Sequence, residues 1–256
     1  MTSAAKGSSA PSGGTAVDDE IARFDAMAEA WWDPMGKFRP LHELNPVRFD
    51  FIRSAVASHR ALDPAAALPF KGLRCLDLGC GGGLIAEEMA KLGAAVTGVD
   101  ASQVAIRIAR AHAEREGLTI DYRCALPEHV AGWGVRYDVV LALEVIEHVQ
   151  SLDLFFEAVS QILTPDGLLI VATLNRTLSS LALAKIGAEY ILRWLPAGTH
   201  DWRKFVRPSE LARVLRRQGF AVAEMRGLQY QPMLRRWSLG SDVMVNYIAA
   251  VVRTAA

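Results

Sequence analysis

The stretch Leu76-Asp77-Leu78-Gly79-Cys80-Gly81-Gly82-Gly83 constrains this chain more than any other, because it reads as a buried strand ending in a glycine turn that opens a helix over Leu84 to Lys91. Leu76 and Leu78 suit the inside of a parallel sheet, and the glycines let a ligand approach the backbone closely. Such a turn predicts a nucleotide-bearing cofactor. The spacing is GxGxG; in the NAD fingerprint the third glycine falls one place later, where this chain has Leu84, so the turn leans away from a dinucleotide.

The rest of the chain builds the same kind of sheet. Helical spacing of Ile21, Phe24, Ala28 and Trp31 marks a region of helices from about Asp18 to His59. A linker with Asp63-Pro64 and Pro69 leads to the strand Arg74 to Leu78. Strand Ala95 to Val99, helix Gln103 to Glu116, strand Ile120 to Arg123, strand Tyr137 to Leu143, helix Leu152 to Leu163 and strand Leu168 to Thr173 follow in alternation, the last after the turn Thr164-Pro165-Asp166-Gly167. Helix Ser209 to Gln218 then precedes strands Ala221 to Met225 and Met244 to Val252, which can form a hairpin. Strands alternating with helices predict a doubly wound, Rossmann-like α/β sheet with right-handed crossovers.

At 256 residues the chain is expected to form one domain over residues 18–256 behind a flexible tail at residues 1–17, which is rich in Ser, Gly and Ala and lacks the apolar core of a signal peptide. Lysines plus arginines number 28 and so do aspartates plus glutamates, so no global field recruits nucleic acid or an anionic membrane. Cys75, Cys80 and Cys124 show no CxxC spacing, which predicts reduced thiols in a cytosol. No uncharged run approaches the roughly 20 residues that span a bilayer.

Asp100 lies twenty-one residues after Gly79, at the end of the second strand, where a carboxylate can accept from both ribose hydroxyls of a nucleoside. Capping of the next helix is its bland alternative, but Ser102 can fill that role. The acid and the glycines together favour the ligand. Glu144-Val145-Ile146-Glu147-His148 brings two carboxylates and an imidazole to the end of the fourth strand, and on a helical turn all three can converge.

At these residues the chain resembles the class I S-adenosylmethionine-dependent methyltransferases, through Asp77 to Gly83 and Gly98-Val99-Asp100. The resemblance implies a seven-stranded sheet with its last strand antiparallel, Asp77 and the turn at Gly79 and Gly81 along the methionine end of the cofactor, and Asp100 on the ribose. Further strings resemble the O-methyltransferase family of ubiquinone biosynthesis, from about Glu20 to Tyr247. They are Trp31-Trp32-Asp33, Phe38-Arg39-Pro40-Leu41-His42, Asn45-Pro46, Thr173-Leu174-Asn175-Arg176, Gly187 to Arg193, Gly198-Thr199-His200-Asp201 and Val245-Asn246-Tyr247. That family implies methylation of phenolic oxygens on two polyprenylated intermediates, a 2-polyprenyl-6-hydroxyphenol and 3-demethylubiquinol. A class I methyltransferase for another acceptor, and a non-catalytic cofactor- or lipid-binding subunit of a biosynthetic complex, are the alternatives.

The same resemblance implies Arg48 on the cofactor's methionine carboxylate and the Leu143 backbone facing the cofactor. It also implies a metal at Glu144, Glu147 and His148 in some members. Oxygen ligands suit magnesium and the imidazole shifts the choice toward zinc, while in many relatives such a string only shapes a pocket; both readings stay open. Ala125 and Leu126 stand where many methyltransferases carry an acid for adenine, which this chain lacks. A phenol with a pKa near 10 needs a base or Lewis acid, and His148 is the first candidate, His200 the second. Finally, Lys185, Glu189 and Arg193 share one helical face opposite Leu183, Tyr190, Ile191 and Trp194. The insertion at residues 178–199 is thus expected as an amphipathic helix, packed on the core or in peripheral contact with the inner face of a membrane.

Overall fold

The computed structural model describes residues 21, 22, 25, 30–181, 202–231, 233, 234 and 236–254. The tail at 1–17, His200, and nearly all of the insertion at 178–199 lie outside the described residues. Helix α1 (Arg39–His59) precedes the sheet. Strand β1 (Arg74–Leu78), helix α2 (Leu84–Lys91), strand β2 (Ala95–Asp100), helix α3 (Gln103–Arg115) and strand β3 (Asp121–Cys124) then form the first half. The second half runs through the short helix α4 (Pro127–Ala131), β4 (Tyr137–Leu143), α5 (Leu152–Ile162), β5 (Leu163–Leu174), α6 (Pro208–Arg217), β6 (Phe220–Gln231), β7 (Arg236–Gly240) and β8 (Asn246–Arg253).

The strands lie in the order β3-β2-β1-β4-β5-β8-β6-β7. The first five are parallel neighbours, β8 runs antiparallel between β5 and β6, and β7 folds back on β6. This is the expected doubly wound sheet with the expected antiparallel last strand. It carries one strand more than the seven expected, because β6 continues past Met225 to Gln231 and its extension pairs with β7. β5 also begins five residues before Leu168, passing through the expected turn, since Leu163 pairs with Tyr137 ahead of a register shift.

Burial on both faces gives the inner strands their continuous apolar runs. In β4, Val139 and Leu141 face one core with Ile52, Met89 and Ile106, while Val140 and Ala142 face the other with Phe155, Phe156 and Leu215. Two helical layers therefore clamp the sheet, and β1, β2, β4, β5 and β6 all end along one edge. Among the described residues no helix is long and apolar enough to cross a membrane.

Candidate active site at the carboxyl edge of the sheet

The glycine turn leaves β1 with Gly79, Gly81 and Gly83 in the left-handed region, at φ of 69°, 52° and 89°. The turn is tied to β2: Gly79 and Cys80 N–H groups both donate to the Val99 carbonyl, at 2.8 and 3.0 Å. Asp100 fastens it further, one carboxylate oxygen accepting from the Gly81 N–H (2.9 Å) and the other from the Ser102 N–H (2.8 Å). Ser102 is the N-cap of α3, accepting from the Ala105 N–H at 2.9 Å, so the bland reading of Asp100 as a helix cap is set aside. The half-buried carboxylate stays at the strand end, where each oxygen keeps a second lone pair for a ligand hydroxyl.

The spaces beside the glycines are filled by the chain's own side chains. A Cβ on Gly81 or Gly82 would come within 2.5 or 2.6 Å of the Trp31 indole, one on Gly83 would strike the Tyr122 hydroxyl, and one on Gly79 would strike Val145. The turn is therefore pressed between the segment before α1 and the segment after β4.

Asp77 lies beneath this turn with only 3 % of its surface exposed. Burial, then the charge of Asp100, push its carboxyl up to about 7, with an Ala86 N–H opposing. Asp100 is raised too, chiefly by burial. Asp77 is thus a buried acid whose ionisation the neighbouring Asp100 resists.

After β4, Leu143 leads into Glu144, whose backbone sits at φ 55° with its N–H donating to the Ala172 carbonyl (2.9 Å). A non-glycine residue in that region costs of order 1 kcal/mol and marks strain held at a functional position. Arg48 of α1, buried, forms an ion pair with the Glu144 carboxylate and also reaches Asn45 at 3.4 Å. Arg48 was expected on a cofactor carboxylate; here it meets a protein carboxylate, and its Nε is buried without a partner.

Glu147 is buried and accepts from the Thr173 hydroxyl at 2.8 Å. Its Oε1 has no such donor, and burial together with the neighbouring Glu144 raises its pKa well above the carboxylate range. His148 closes the turn through its N–H to the Val145 carbonyl (2.9 Å) and is partly exposed. Among the described residues no three His, Cys, Asp or Glu side chains converge as a metal-ligand set. Glu144, Glu147 and His148 are thus brought to one turn without being assembled around a cation, since Glu144 turns to Arg48 and Glu147 to Thr173.

The strings that flank the core have a structural meaning that single-residue reasoning missed. Thr173 and Leu174 pair with Tyr247 and Asn246 across β5 and β8. The Asn175 amide donates to the Val243 carbonyl (2.8 Å), Asn246 accepts from the Leu228 N–H (3.1 Å), and the Tyr247 hydroxyl donates to the Val206 carbonyl (3.0 Å). These bonds lock β5, β6 and β8 together beside Glu147. A cluster of amide and hydroxyl residues at the predicted ends of strands was the available signal.

Comparison with known proteins agrees with this geometry. A family model described as a methyltransferase domain matches residues 50–225. The ubiquinone biosynthesis O-methyltransferase of Chelativorans sp. (strain BNC1) is 51 % identical over 243 residues, covering 94 % of this chain and 96 % of that protein. That of Dinoroseobacter shibae is 48 % identical over 242 residues, covering 94 % and 98 %. Among solved structures, a magnesium protoporphyrin IX methyltransferase from Synechocystis PCC 6803 with bound SAH superposes with a TM-score of 0.60 at 21 % identity, covering 93 % of this chain and 100 % of that one. An S-adenosylmethionine-dependent methyltransferase from Clostridium acetobutylicum superposes with a TM-score of 0.62 at 13 % identity, covering 91 % and 100 %. A turn closed by Asp100 and an acidic turn anchored by a buried arginine fit S-adenosylmethionine as cofactor, and at half identity over almost the whole length the chain belongs to the ubiquinone biosynthesis O-methyltransferase family of S-adenosylmethionine-dependent enzymes.

Proposed function

We propose that this enzyme transfers the methyl group of S-adenosylmethionine to the phenolic oxygens of a 2-polyprenyl-6-hydroxyphenol and of 3-demethylubiquinol. One observation carries the reading. Val145 touches Gly79, so the acidic turn and the cofactor turn adjoin at a single edge of the sheet. Gly79, Gly81, Asp100 and the Leu143 backbone hold the cofactor, and Arg48, with its unpartnered buried Nε, receives the methionine carboxylate. The phenolic oxygen attacks the methyl carbon directly; the carbon–sulfur bond breaks with its electron pair left on sulfur, and the proton passes to His148. Alignment of oxygen, carbon and sulfur supplies much of the acceleration.

A polyprenyl acceptor resides in a bilayer, which places the active edge at a membrane surface. Leu178, Met233, Leu234 and Met244 are exposed on segments that follow β5, follow β6 or precede β8, all at that edge, and Met233 is 98 % exposed. They support peripheral contact by the insertion at residues 178–199 and its surroundings.

Methyl transfer from labelled donor to a short-chain demethylubiquinol analogue, with and without a chelator, tests the chemistry. The wild type transfers at the same rate in both, and His148→Ala loses about 10²–10⁴-fold in kcat while still binding SAH. A rate that falls on chelation assigns Glu144, Glu147 and His148 to a cation instead. SAH binding without any transfer favours the non-catalytic alternative.

A further inference from the structure

Trp31 and Trp32 take no part in the chemistry above, yet they rest on the cofactor turn. Trp32 donates from Nε1 to the Gly82 carbonyl at 3.0 Å. Its ring stacks on His112 of α3, with centroids 3.3 Å apart and planes within 1°. The His112 Nδ1 in turn meets the Glu87 carboxylate of α2 at 2.7 Å, and Glu87 is fully buried. Trp32 is thus fixed to the turn and, through His112, to two core helices. A third attachment is the hydrogen bond between Asp25 and Ser102 at the end of β2.

Trp31 is held differently. Its ring lies against Gly81 and Gly82 and stacks on Phe38 (centroids 3.9 Å, planes within 8°), while the His42 Nε2 reaches its carbonyl at 2.8 Å. The indole Nε1 is buried and has no hydrogen-bond partner. A buried N–H is seldom left unpaired, because the lost hydration is not recovered. Here it sits on a turn that binds a ligand rich in acceptors, a carboxylate and two ribose hydroxyls. The ring itself offers an electron-rich face, which attracts a cation such as a sulfonium.

We propose that Trp31 is a cofactor-binding residue, the cover of the S-adenosylmethionine site, and that Trp32 is the anchor that keeps the cover in place. The cofactor displaces the Trp31 ring from its contact with Gly81 and Gly82, the ring then lies over it, and the Nε1 proton finds its acceptor there. The segment before α1 then screens the reacting sulfonium from water. This inference rests on the family's cofactor and is independent of the acceptor.

Calorimetric titration of SAH into the cofactor-free full-length protein tests it, with urea unfolding as a control on the fold. Trp31→Phe keeps an aromatic ring for the stack on Phe38 and loses the N–H together with part of the ring surface over the turn; SAH binds about tenfold more weakly, the KM for S-adenosylmethionine rises by a similar factor, and the KM for the acceptor analogue stays put. Trp32→Phe, which frees the anchor, speeds SAH release in stopped-flow fluorescence by tenfold or more. Wild-type SAH affinity in a folded Trp31→Phe, or, should that variant unfold, wild-type release from Trp32→Phe, overturns the proposal.

Discussion

Arg48 and Glu144 lie 96 positions apart in the chain and meet as an ion pair between α1 and the turn after β4. The arginine is almost entirely buried, with 4 % of its side chain exposed, against 23 % for the glutamate. From its strained backbone Glu144 holds its carboxylate on Arg48 of α1, beside the buried Glu147. Helix α1 and the acidic turn are therefore coupled through one guanidinium.

Replacing Arg48 by Met retains most of the apolar stem and removes the charge. Glu144 is then left beside Glu147 with no cation, and folding stability falls by about 1–3 kcal/mol in urea unfolding. SAH affinity falls tenfold or more, each factor of ten corresponding to about 1.4 kcal/mol. Glu144→Gln keeps Arg48 free for the cofactor, so its SAH affinity stays within about threefold of wild type. Equal losses in the two variants would mean that Arg48 acts only through Glu144.

The carboxyl of Asp77 is raised from 3.8 to about 7 by burial and by Asp100. Between those values the unfolded chain has released a proton that the folded chain keeps, so stability falls as pH rises from about 4 to about 7 and then levels. The full span corresponds to a loss of up to about 4 kcal/mol from this group. Asp77→Asn lacks that loss. Its stability relative to wild type, from denaturant unfolding at pH 5 and pH 8, rises with pH; a constant difference would show that Asp77 does not titrate in this range.

The parts of this molecule that were legible in the sequence are those fixed by local chemistry. Leu76 to Gly83 could be read as strand, turn and helix because alternation, glycine freedom and helical spacing all act within a few residues. The cap at Ser102 and the strand over Tyr137 to Leu143 were legible for the same reason. What escaped depends on distant partners. Nothing near Arg48 reveals that Glu144 faces it, and nothing in Arg236–Gly240 signals a strand until the end of β6 projects beyond β8 and needs a neighbour. The glycines were expected to let a ligand approach the backbone, and local sequence gives no sign that the Trp31 ring lies against Gly81 and Gly82.

Burial and the neighbouring Glu144 raise the pKa of Glu147, while Thr173 donates to one of its oxygens. Glu147→Gln preserves shape and the Thr173 bond, so stability at pH 6 changes by less than about 1 kcal/mol, while Glu147→Ala opens a cavity and costs about 2–4 kcal/mol. At higher pH the wild type must bury a charge that the glutamine lacks, and the glutamine variant becomes relatively more stable. Thermal or urea unfolding of the three proteins at two pH values checks both statements.

Gly79→Ala separates backbone strain from crowding. At φ 69° an alanine costs about 1–2 kcal/mol for conformation alone, and its methyl also strikes Val145. Val145→Ala by itself removes two methyls from the side chain that spans the cofactor turn and the acidic turn, and costs about 1–2 kcal/mol. In the double variant the new methyl occupies the space that Val145 vacates, so the combined loss is smaller than the sum of the two single losses by about 1 kcal/mol or more. Strict additivity in urea unfolding would mean that the two turns are not in contact. Because the left-handed backbone persists in the double variant, its stability still falls below that of Val145→Ala, and that residual gap measures what the glycine contributes to the shape of the turn.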